Sequence, residues 1–234
     1  MTDLASDSPS GAGTDGAAAA ELNGLVKLYG ARCVPLVYDP FLWLGEHRVM
    51  ADLRREVVGW AGGRVLEVGA GTGLNIPHYG EGLRELVLTE PEPAMSQRLQ
   101  RRAKAAQVPA RVLTAFAEHL PFDDSSFDNV VVTLALCTVA DPAAALQQAR
   151  RVLVDGGRLL FIEHVRADKG SALERWQRRL HRPWRAFAYG CRCNQDTLRL
   201  LDEAGFETSG IRQERWRGMP PIVRPLVYGA ALAV

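Results

Sequence analysis

Three glycines fall within five residues of the stretch VLEVGAGTGLN, Val65–Asn75. Gly69, Gly71 and Gly73 directly follow a short apolar run, which predicts a strand that ends in a bare turn. Backbone N–H groups without side-chain bulk let a nucleotide-like ligand approach the main chain closely. The dinucleotide pattern G-x-G-x-x-G is not matched, because the third glycine comes one residue early and Leu74 takes the sixth position. NAD therefore fits this turn poorly.

A carboxylate follows where a ribose would need one. Glu90 ends the run ELVLTE, about 20 residues after Gly69. A carboxylate at that position accepts hydrogen bonds from both hydroxyls of a bound ribose, and NAD and S-adenosylmethionine share this feature. A plain glycine turn beside a surface acid is the alternative, because glycine motifs alone are weak evidence.

The elements around these residues alternate between strand and helix patterns. This alternation, from Arg64 onward, predicts parallel strands joined by crossover helices, with ligands bound at the carboxyl ends of the strands. The predicted strands are RVLEV, ELVLTE, ARVLTA, NVVVTL, RLLFIEHV, 208–216 and 226–234, and the predicted helices include 46–60, 93–106, 142–153 and 195–204.

The chain divides into three predicted parts. Residues 1–21 are Ala, Gly, Ser and Asp without periodicity and predict a disordered tail. Residues 22–60 are apolar and aromatic before a helix pattern, and predict an N-terminal helical cap. Residues 61–234 predict the main domain, interrupted by an insertion at 167–190. Cap and insertion are both expected over the carboxyl ends of the strands.

Composition points to a small-molecule partner. The 28 Lys+Arg and 27 Asp+Glu give a net charge of +1, so no global field attracts nucleic acid. Four scattered cysteines predict reduced thiols in a cytosolic protein. No basic residue precedes Lys27, and the longest apolar runs are shorter than the ~20 residues of a bilayer helix. A cytoplasmic location without stable membrane insertion is the prediction.

Four motifs in one order carry a family resemblance. VLEVGAGTG, LVLTEPE, AEHLPFDDSSFDNVVV and RVLVDGGRLLFIEHV, over residues 65–165, resemble class I S-adenosylmethionine-dependent methyltransferases. The segments TLALCTV, IEHV, W…GC…T…L..AGF and ERW…P further resemble the thiol S-methyltransferases of the animal methyltransferase-like group and their bacterial relatives. The resemblance implies a doubly wound, Rossmann-like α/β fold. Its seven-stranded sheet would be mostly parallel with one antiparallel strand, and helices would cover both faces.

The resemblance also implies roles for individual residues around S-adenosylmethionine. Ten positions are expected to bind this cofactor, whose product is S-adenosylhomocysteine. The residues expected around the methionine moiety are Glu67, Gly69, Ala70, Gly71 and Gly73. Those expected at the ribose are Glu90 and Pro91, those at the adenine are Ala117 and Glu118, and Leu134 is expected beside the cofactor after the fourth strand. Relatives carry an aspartate where this chain has Phe116. The Phe116 ring is expected either to pack on the adenine or to turn into the core.

The implied reaction is methyl transfer to a small apolar acceptor, with a thiol preferred. C- or O-methylation of phenols and quinones, an NAD-dependent oxidoreductase and a non-catalytic nucleoside-binding module are the alternatives. A thiol with a pKa near 8.5 is only a few per cent ionised at neutral pH, so a nearby base or cation would help.

A histidine and a cysteine near the strand ends are the candidates for ionising or binding the acceptor. His164, in FIEHV, is the candidate general base, with a hydrogen-bonded structural histidine as the alternative. Cys137, in LALCTV, either lines the acceptor pocket or acts as a small hydrophobic residue. Tyr38, His181 and Trp184, from the cap and the insertion, are expected to line the acceptor pocket or simply to pack.

Two further patterns suggest other chemistry. ERWQRRLHRPWR, residues 174–185, holds five arginines and two tryptophans, which is typical either of an anion-binding surface or of a solvated helical face with apolar anchors. The solvated face is favoured because the net charge is near zero. Cys191 and Cys193 with His181 lack the paired spacing of a zinc site, so no metal is predicted.

Overall fold

The computed structural model describes residues 45–233, apart from the side chains of His47 and Arg48. The predicted tail, most of the predicted cap and Tyr38 lie outside this range. The elements are a π-helical turn Glu46–Met50, α1 Ala51–Gly59, β1 Gly63–Val68, a 3-10 turn Ile76–His78, β2 Leu83–Thr89, α2 Pro93–Ala105, β3 Ala110–Leu113, β4 Phe127–Thr133, α3 Pro142–Val152, β5 Leu153–His164, α4 Ala172–Phe187, α5 Thr197–Glu203, β6 Phe206–Glu207, β7 Arg212–Arg215, a 3-10 turn Pro221–Val223 and β8 Pro225–Ala233.

One mixed sheet organises these elements. Its strand order is β3-β2-β1-β4-β5-β8-β6, and β7 also pairs with β8. Strands β1 to β5 are parallel to one another, whereas β8 runs antiparallel to its neighbours β5, β6 and β7. The predicted mostly parallel sheet with one antiparallel strand is confirmed. The order reverses between β1 and β4, which places a crevice at their carboxyl ends.

The described sheet has eight strands instead of seven because its edge strand is interrupted. β6 and β7 pair with different parts of β8, and residues 208–211 between them face the three residues 229–231. One extra residue therefore bulges out of the edge. A Cβ atom on Gly229 would lie 3.1 Å from the carbonyl oxygen of Gly210, so the bulge depends on a bare position in β8. The sequence prediction of a single strand over 208–216 finds β7 and misses β6.

Helix α3 shows how sequence determines the local structure. The Asp141 carboxylate accepts hydrogen bonds from two backbone amides of the first turn, both 3.0 Å long, and so caps the helix. Ala145, Leu146, Ala149 and Val152 are buried against the sheet, as their helical spacing predicts.

The central strands are buried on both faces. Val65 and Leu160 belong to the core on the α1 side of the sheet, while their neighbours Leu66 and Phe161 belong to the core on the α3 side. Because side chains alternate along a strand, this double burial determines which residue faces which way at the strand ends.

The predicted insertion contains helix α4. The Ser171 hydroxyl caps this helix, and the buried Gln177 bonds it to the backbone of Ala167 after β5, Cys193 after α4 and Ile222 before β8. Its five arginines are exposed, in agreement with the predicted solvated face: Arg175, Arg178, Arg179, Arg182 and Arg185. The two tryptophans were expected to pack as apolar anchors. Trp184 is partly buried, whereas Trp176 is exposed.

Within residues 45–233, every helix is too short or too polar to cross a lipid bilayer.

Candidate functional site

The glycine turn after β1 has the conformation that its sequence demands. Gly69 and Gly71 have φ angles of +68° and +58°, in the left-handed region that favours glycine. A Cβ atom on Gly69 would lie 2.8 Å from the Cβ of Ala135 in the loop after β4, whereas one on Gly71 would meet no atom within 4 Å. Gly69 therefore permits close packing, and Gly71 presents bare backbone to open space.

Glu90 binds this turn directly. One carboxylate oxygen accepts the amide of Gly71 at 2.8 Å, and the other accepts the amide of Glu92 at 2.9 Å. Burial raises the pKa of the carboxyl, and the two amides oppose that shift. Each carboxylate oxygen keeps a further lone pair, so the group can still accept from a ribose. The turn and Glu90 fit the nucleoside of S-adenosylmethionine.

Glu67 lies beneath the turn in a polar network. Its carboxylate accepts the side-chain amide of Asn75 at 2.8 Å and the hydroxyl of Tyr79 at 2.6 Å. Burial raises the pKa of Glu67 to about 7, although both hydrogen bonds oppose the shift. The side chain therefore holds the residues that follow the turn.

Arg54 connects this network to helix α1. It is 3% exposed and donates to the side chains of Asn75 and, at 3.0 Å, Thr133. It also pairs with Glu46 at 2.8 Å. The first described residues are thereby linked to the cofactor turn by buried side chains.

The loop after β4 forms the other wall of the crevice. Leu134 has a φ angle of +54°, and its amide donates to the carbonyl of Ile162 at 2.8 Å. One oxygen of Glu163 accepts the amides of Ala135 and Leu136 at 2.7 and 2.8 Å. Burial raises the pKa of Glu163 to about 7. A left-handed leucine costs of order 1–3 kcal/mol, and such strain concentrates at functional sites.

A cluster of two cysteines and a histidine lies beside this loop. We call Cys137, His164 and Cys191 the Cys–His–Cys cluster. All three are buried, and their ligand atoms lie within 4.8 Å of one another. His164 Nε2 is 3.0 Å from Cys191 Sγ, and Trp184 Nε1 donates to the same sulfur at 3.2 Å.

These contacts favour a charged pair within the cluster. Hydrogen bonding from Cys137, together with His164 and Trp184, lowers the pKa of the Cys191 thiol to about 4 against the effect of burial. Burial lowers the pKa of His164, but the neighbouring Cys191 outweighs it, so the net shift is upward. The hydrogen bond to Cys191 and burial raise the pKa of Cys137 well above its usual range. The cluster thus favours a Cys191 thiolate, a His164 imidazolium and a neutral Cys137.

The segment after α4 extends across the crevice. The backbone amide of Arg192 donates to the carbonyl of Cys137 at 2.8 Å, and its guanidinium donates to the carbonyl of Val139 at 2.6 Å. The Tyr189 hydroxyl donates to the Glu92 carboxylate at 3.0 Å, two residues beyond Glu90. Residues 189–192 therefore connect the loop after β4 with the loop after β2, and Cys191 lies between these two anchors.

The cluster is also a ligand set that soft metals prefer. Tetrahedral zinc holds nitrogen at 2.0–2.1 Å and sulfur at 2.3 Å, which separates those atoms by about 3.5 Å. The 3.0 Å between His164 Nε2 and Cys191 Sγ is closer to a hydrogen bond. Cys193 lies apart from the cluster and contacts the carbonyl of Gln177.

Comparisons with known proteins agree with this geometry. A family described as "Methyltransferase domain" matches residues 66–161. Human thiol S-methyltransferase TMT1B is 36% identical over 195 residues, which cover 79% of this chain and 78% of that protein. The rat protein of the same name is 36% identical over 175 residues, covering 72% of this chain and 70% of that protein. The chain belongs to this methyltransferase family.

Solved structures agree on the fold. A putative methyltransferase from Bacillus halodurans superposes with a TM-score of 0.65 at 17% identity, over 79% of this chain and 98% of that one. Geranyl diphosphate methyltransferase, solved in complex with S-adenosylmethionine, gives 0.64 at 14% identity, over 80% and 87% of the two chains. The protein is an S-adenosylmethionine-dependent methyltransferase, and the turn at Gly69–Gly73 with Glu90 is its candidate cofactor site.

The structure brings most of the predicted site residues of the methyltransferase to the same end of the sheet. The predicted residues at the carboxyl ends of the strands or in the segment across them are Gly69, Ala70, Gly71, Gly73, Glu90, Pro91, Leu134, Cys137, His164 and Trp184. Glu67 is nearby but internal, with both oxygens bonded to protein side chains. The individual cofactor contacts stay predictions.

Four further positions named from the sequence remain. Ala117 and Glu118 follow β3 at the same end of the sheet; Ala117 is buried, and Glu118 accepts the amide of Asp141 at 3.1 Å, at the start of α3. His181 lies on α4, and no described contact joins it to the cluster. Phe116 is 62% exposed, so the expectation that it turns into the core is wrong.

Sequence reasoning missed several residues that build the site. Cys191 was considered only as half of a metal pair with Cys193, although TLALCTV, IEHV and the GC pair after α4 all lie in the segments of family resemblance. Glu163, in the same IEHV segment, holds the loop after β4 by two hydrogen bonds. Arg54 and Asn75 carry no motif, and only the folded network identifies them.

Proposed function

We propose that this methyltransferase transfers a methyl group to the sulfur of a small apolar thiol. The observation that carries the proposal is the Cys–His–Cys cluster, which lies at the carboxyl ends of β4 and β5 beside the candidate cofactor turn. The relatives at 36% identity are named thiol S-methyltransferases, which supports the same acceptor class.

S-adenosylmethionine supplies an electrophilic methyl group on a sulfonium sulfur. The protein must hold that methyl in line with the acceptor sulfur and exclude water. The bare backbone of the turn at Gly71 and the carboxylate of Glu90 would hold the nucleoside end, and the loop at Leu134 would separate it from the acceptor side. Positioning of this kind contributes up to roughly 7–11 kcal/mol to lowering a barrier.

The acceptor side suits a sulfur atom. A thiol is only a few per cent ionised at neutral pH, and a neighbouring imidazolium favours its thiolate. Cys137 and Trp184 line the pocket in this proposal, next to His164. A phenol has a higher pKa, near 10, so a smaller fraction of it than of a thiol is ionised at neutral pH.

The test is an acceptor panel. The protein is incubated with S-adenosylmethionine carrying a labelled methyl group and with alkyl thiols, phenols and quinones, and the products are identified by mass spectrometry. Methylated thiols are expected as the main products. Labelling of phenols alone, or of quinone carbon, would replace the thiol assignment by O- or C-methylation.

Several sequence predictions belong with this proposal. They are a helical cap over residues 22–60, a methyltransferase domain over 61–234, acceptor contacts from Tyr38 and His181, a cytoplasmic location, and the absence of a nucleic-acid partner, of membrane insertion and of a metal. The acceptor panel does not depend on any of them.

A further inference from the structure

The Cys–His–Cys cluster contains one residue for which the proposed reaction has so far given no role. Cys191 Sγ is in contact with two nitrogen donors, His164 Nε2 at 3.0 Å and Trp184 Nε1 at 3.2 Å. We propose that Cys191 is a catalytic residue, whose sulfur accepts the proton of the acceptor thiol while the His164 imidazolium stabilises the acceptor thiolate. This inference rests on the proposed function and identifies the group that ionises the acceptor.

The position of Cys191 supports a role in contact with the acceptor. It lies in the segment 189–192, which is anchored to the loop after β4 by Arg192 and to the loop after β2 by Tyr189. That segment crosses the crevice in which donor and acceptor must meet. A core cysteine would instead be surrounded by apolar side chains, as a small hydrophobic residue.

His164 adds a second sign of a ligand beside the cluster. Its Nδ1 atom is buried and has no hydrogen-bond partner among residues 45–233. Buried polar atoms are nearly always satisfied in folded proteins, so a partner is expected from outside the described residues. Because Nδ1 and Nε2 lie on different edges of the ring, this partner would hold the imidazolium from the side away from Cys191, and the acceptor thiol would contact Cys191 itself.

The proposed step balances in protons and charge. The S–H bond of the acceptor breaks and an S–H bond forms on Cys191, so one thiolate replaces another beside the same imidazolium. His164 keeps its protons throughout. The acceptor thiolate then attacks the methyl carbon and becomes a neutral thioether. When the product leaves, Cys191 loses its proton to solvent and pairs with His164 again.

The transfer to Cys191 depends on the surroundings of the acceptor sulfur. The imidazolium that lowers the pKa of Cys191 would also lower the pKa of an acceptor thiol bound beside it, which brings the two thiols closer in acidity. The other titratable groups around Cys191 are Cys137 from the loop after β4, Glu163 from β5 and Cys193 on its own segment. Burial raises the pKa of Cys193 to about 11, so this neighbour stays a neutral thiol.

The test compares acceptors that need a base with acceptors that do not. Cys191→Ala is measured with an aliphatic thiol, which is mostly protonated at pH 7, and with 4-nitrothiophenol, which is already ionised. We expect kcat/KM to fall about 10²–10⁴-fold for the aliphatic thiol and less than about tenfold for 4-nitrothiophenol. The remaining aliphatic activity should rise about tenfold per pH unit, because only free thiolate then reacts.

Two variants separate chemistry from folding. Cys191→Ser keeps the size of the side chain but is a poor proton acceptor at neutral pH, so it should show the same selective loss. Cys193→Ala removes a buried thiol two residues away and should leave both acceptors within about threefold of wild type. Affinity for S-adenosylmethionine, measured by calorimetry, should be unchanged in all three variants.

The outcomes distinguish this inference from the proposed function. Wild-type enzyme that methylates no thiol contradicts the proposed function before any variant is made. Wild-type enzyme that methylates thiols while Cys191→Ala loses both acceptors equally, or neither, overturns the role of Cys191 alone. One tightly bound zinc per chain by elemental analysis, with activity lost on chelation, would also overturn it in favour of a metal-bound acceptor.

Discussion

The two sides of the crevice are held together by different means. On the cofactor side, the Glu90 carboxylate accepts the backbone amide of Gly71 in the glycine turn and that of Glu92, all within about 20 residues of chain. On the acceptor side, Cys137, His164 and Cys191 come from three separate segments and meet through their side chains. Backbone contacts of the first kind suit a ligand that never changes, whereas side chains of the second kind can be exchanged to suit another acceptor.

The largest expected effect comes from breaking the cofactor side alone. Glu90→Ala removes the ribose acceptor and leaves the amides of Gly71 and Glu92 without their carboxylate. Hydrogen bonds to charged groups contribute about 1.5–3 kcal/mol each. The loss of the two bonds from the ribose hydroxyls should therefore weaken S-adenosylmethionine binding about 10²–10⁴-fold. Calorimetry measures the affinity.

The matched control is Glu92→Ala, which removes a neighbouring carboxylate that bonds only Tyr189 among the contacts given by the structure. It should change the affinity less than about threefold. An unchanged affinity in Glu90→Ala would remove Glu90 from the cofactor site. The comparison between the two sides would then lose its main support.

The same difference explains what the sequence could predict. The turn and Glu90 were predictable because the contacts that they make are local and depend on glycine spacing. His164 and Cys137 were found as separate candidates, because each ends or follows a strand. Their association with Cys191 depends on how α4 folds back over the sheet, and no periodicity along the chain encodes that.

The interrupted edge strand and the Arg54 network were unpredictable for a related reason. Phe206 and Glu207 join the sheet only because β8 offers them partners, and the pattern from Thr208 onward gave no sign of the bulge. Arg54 belongs to no motif of the sequence and lies on helix α1. It is buried because Glu46, Asn75 and Thr133 together satisfy its guanidinium.

A second prediction compares the cofactor side and the acceptor side by the stability that each buried acid contributes. Glu67 and Glu163 each have a pKa of about 7, raised chiefly by burial. The native state keeps these protons where the unfolded chain, with a pKa near 4.5, has lost them. Each group therefore contributes most to the free energy of unfolding below pH 4.5. This contribution, on the order of 3 kcal/mol, is lost as the pH rises to about 7.

Replacing Glu67 by Gln should remove the part of this pH-dependent loss of stability that is due to Glu67. We expect the difference in unfolding free energy between pH 5 and pH 8, measured in urea, to shrink by about 3 kcal/mol relative to wild type. An identical pH dependence in Glu67→Gln and wild type would show that Glu67 is already ionised at pH 5.

The smallest expected effects concern two glycines of one turn. Gly69→Ala and Gly71→Ala both force alanine to a positive φ, which costs about 1 kcal/mol. Only at Gly69 does the new Cβ also meet Ala135, at 2.8 Å, so this variant must displace the loop that carries Cys137. We expect Gly69→Ala to lower the unfolding free energy by about 2–3 kcal/mol and Gly71→Ala by about 1 kcal/mol. Gly69→Ala should also weaken thiol turnover at saturating cofactor, whereas Gly71→Ala should weaken cofactor affinity and leave that turnover unchanged. Equal losses in both variants would mean that the two sides of the crevice do not touch at Gly69, and that the loop after β4 can move without disturbing the turn.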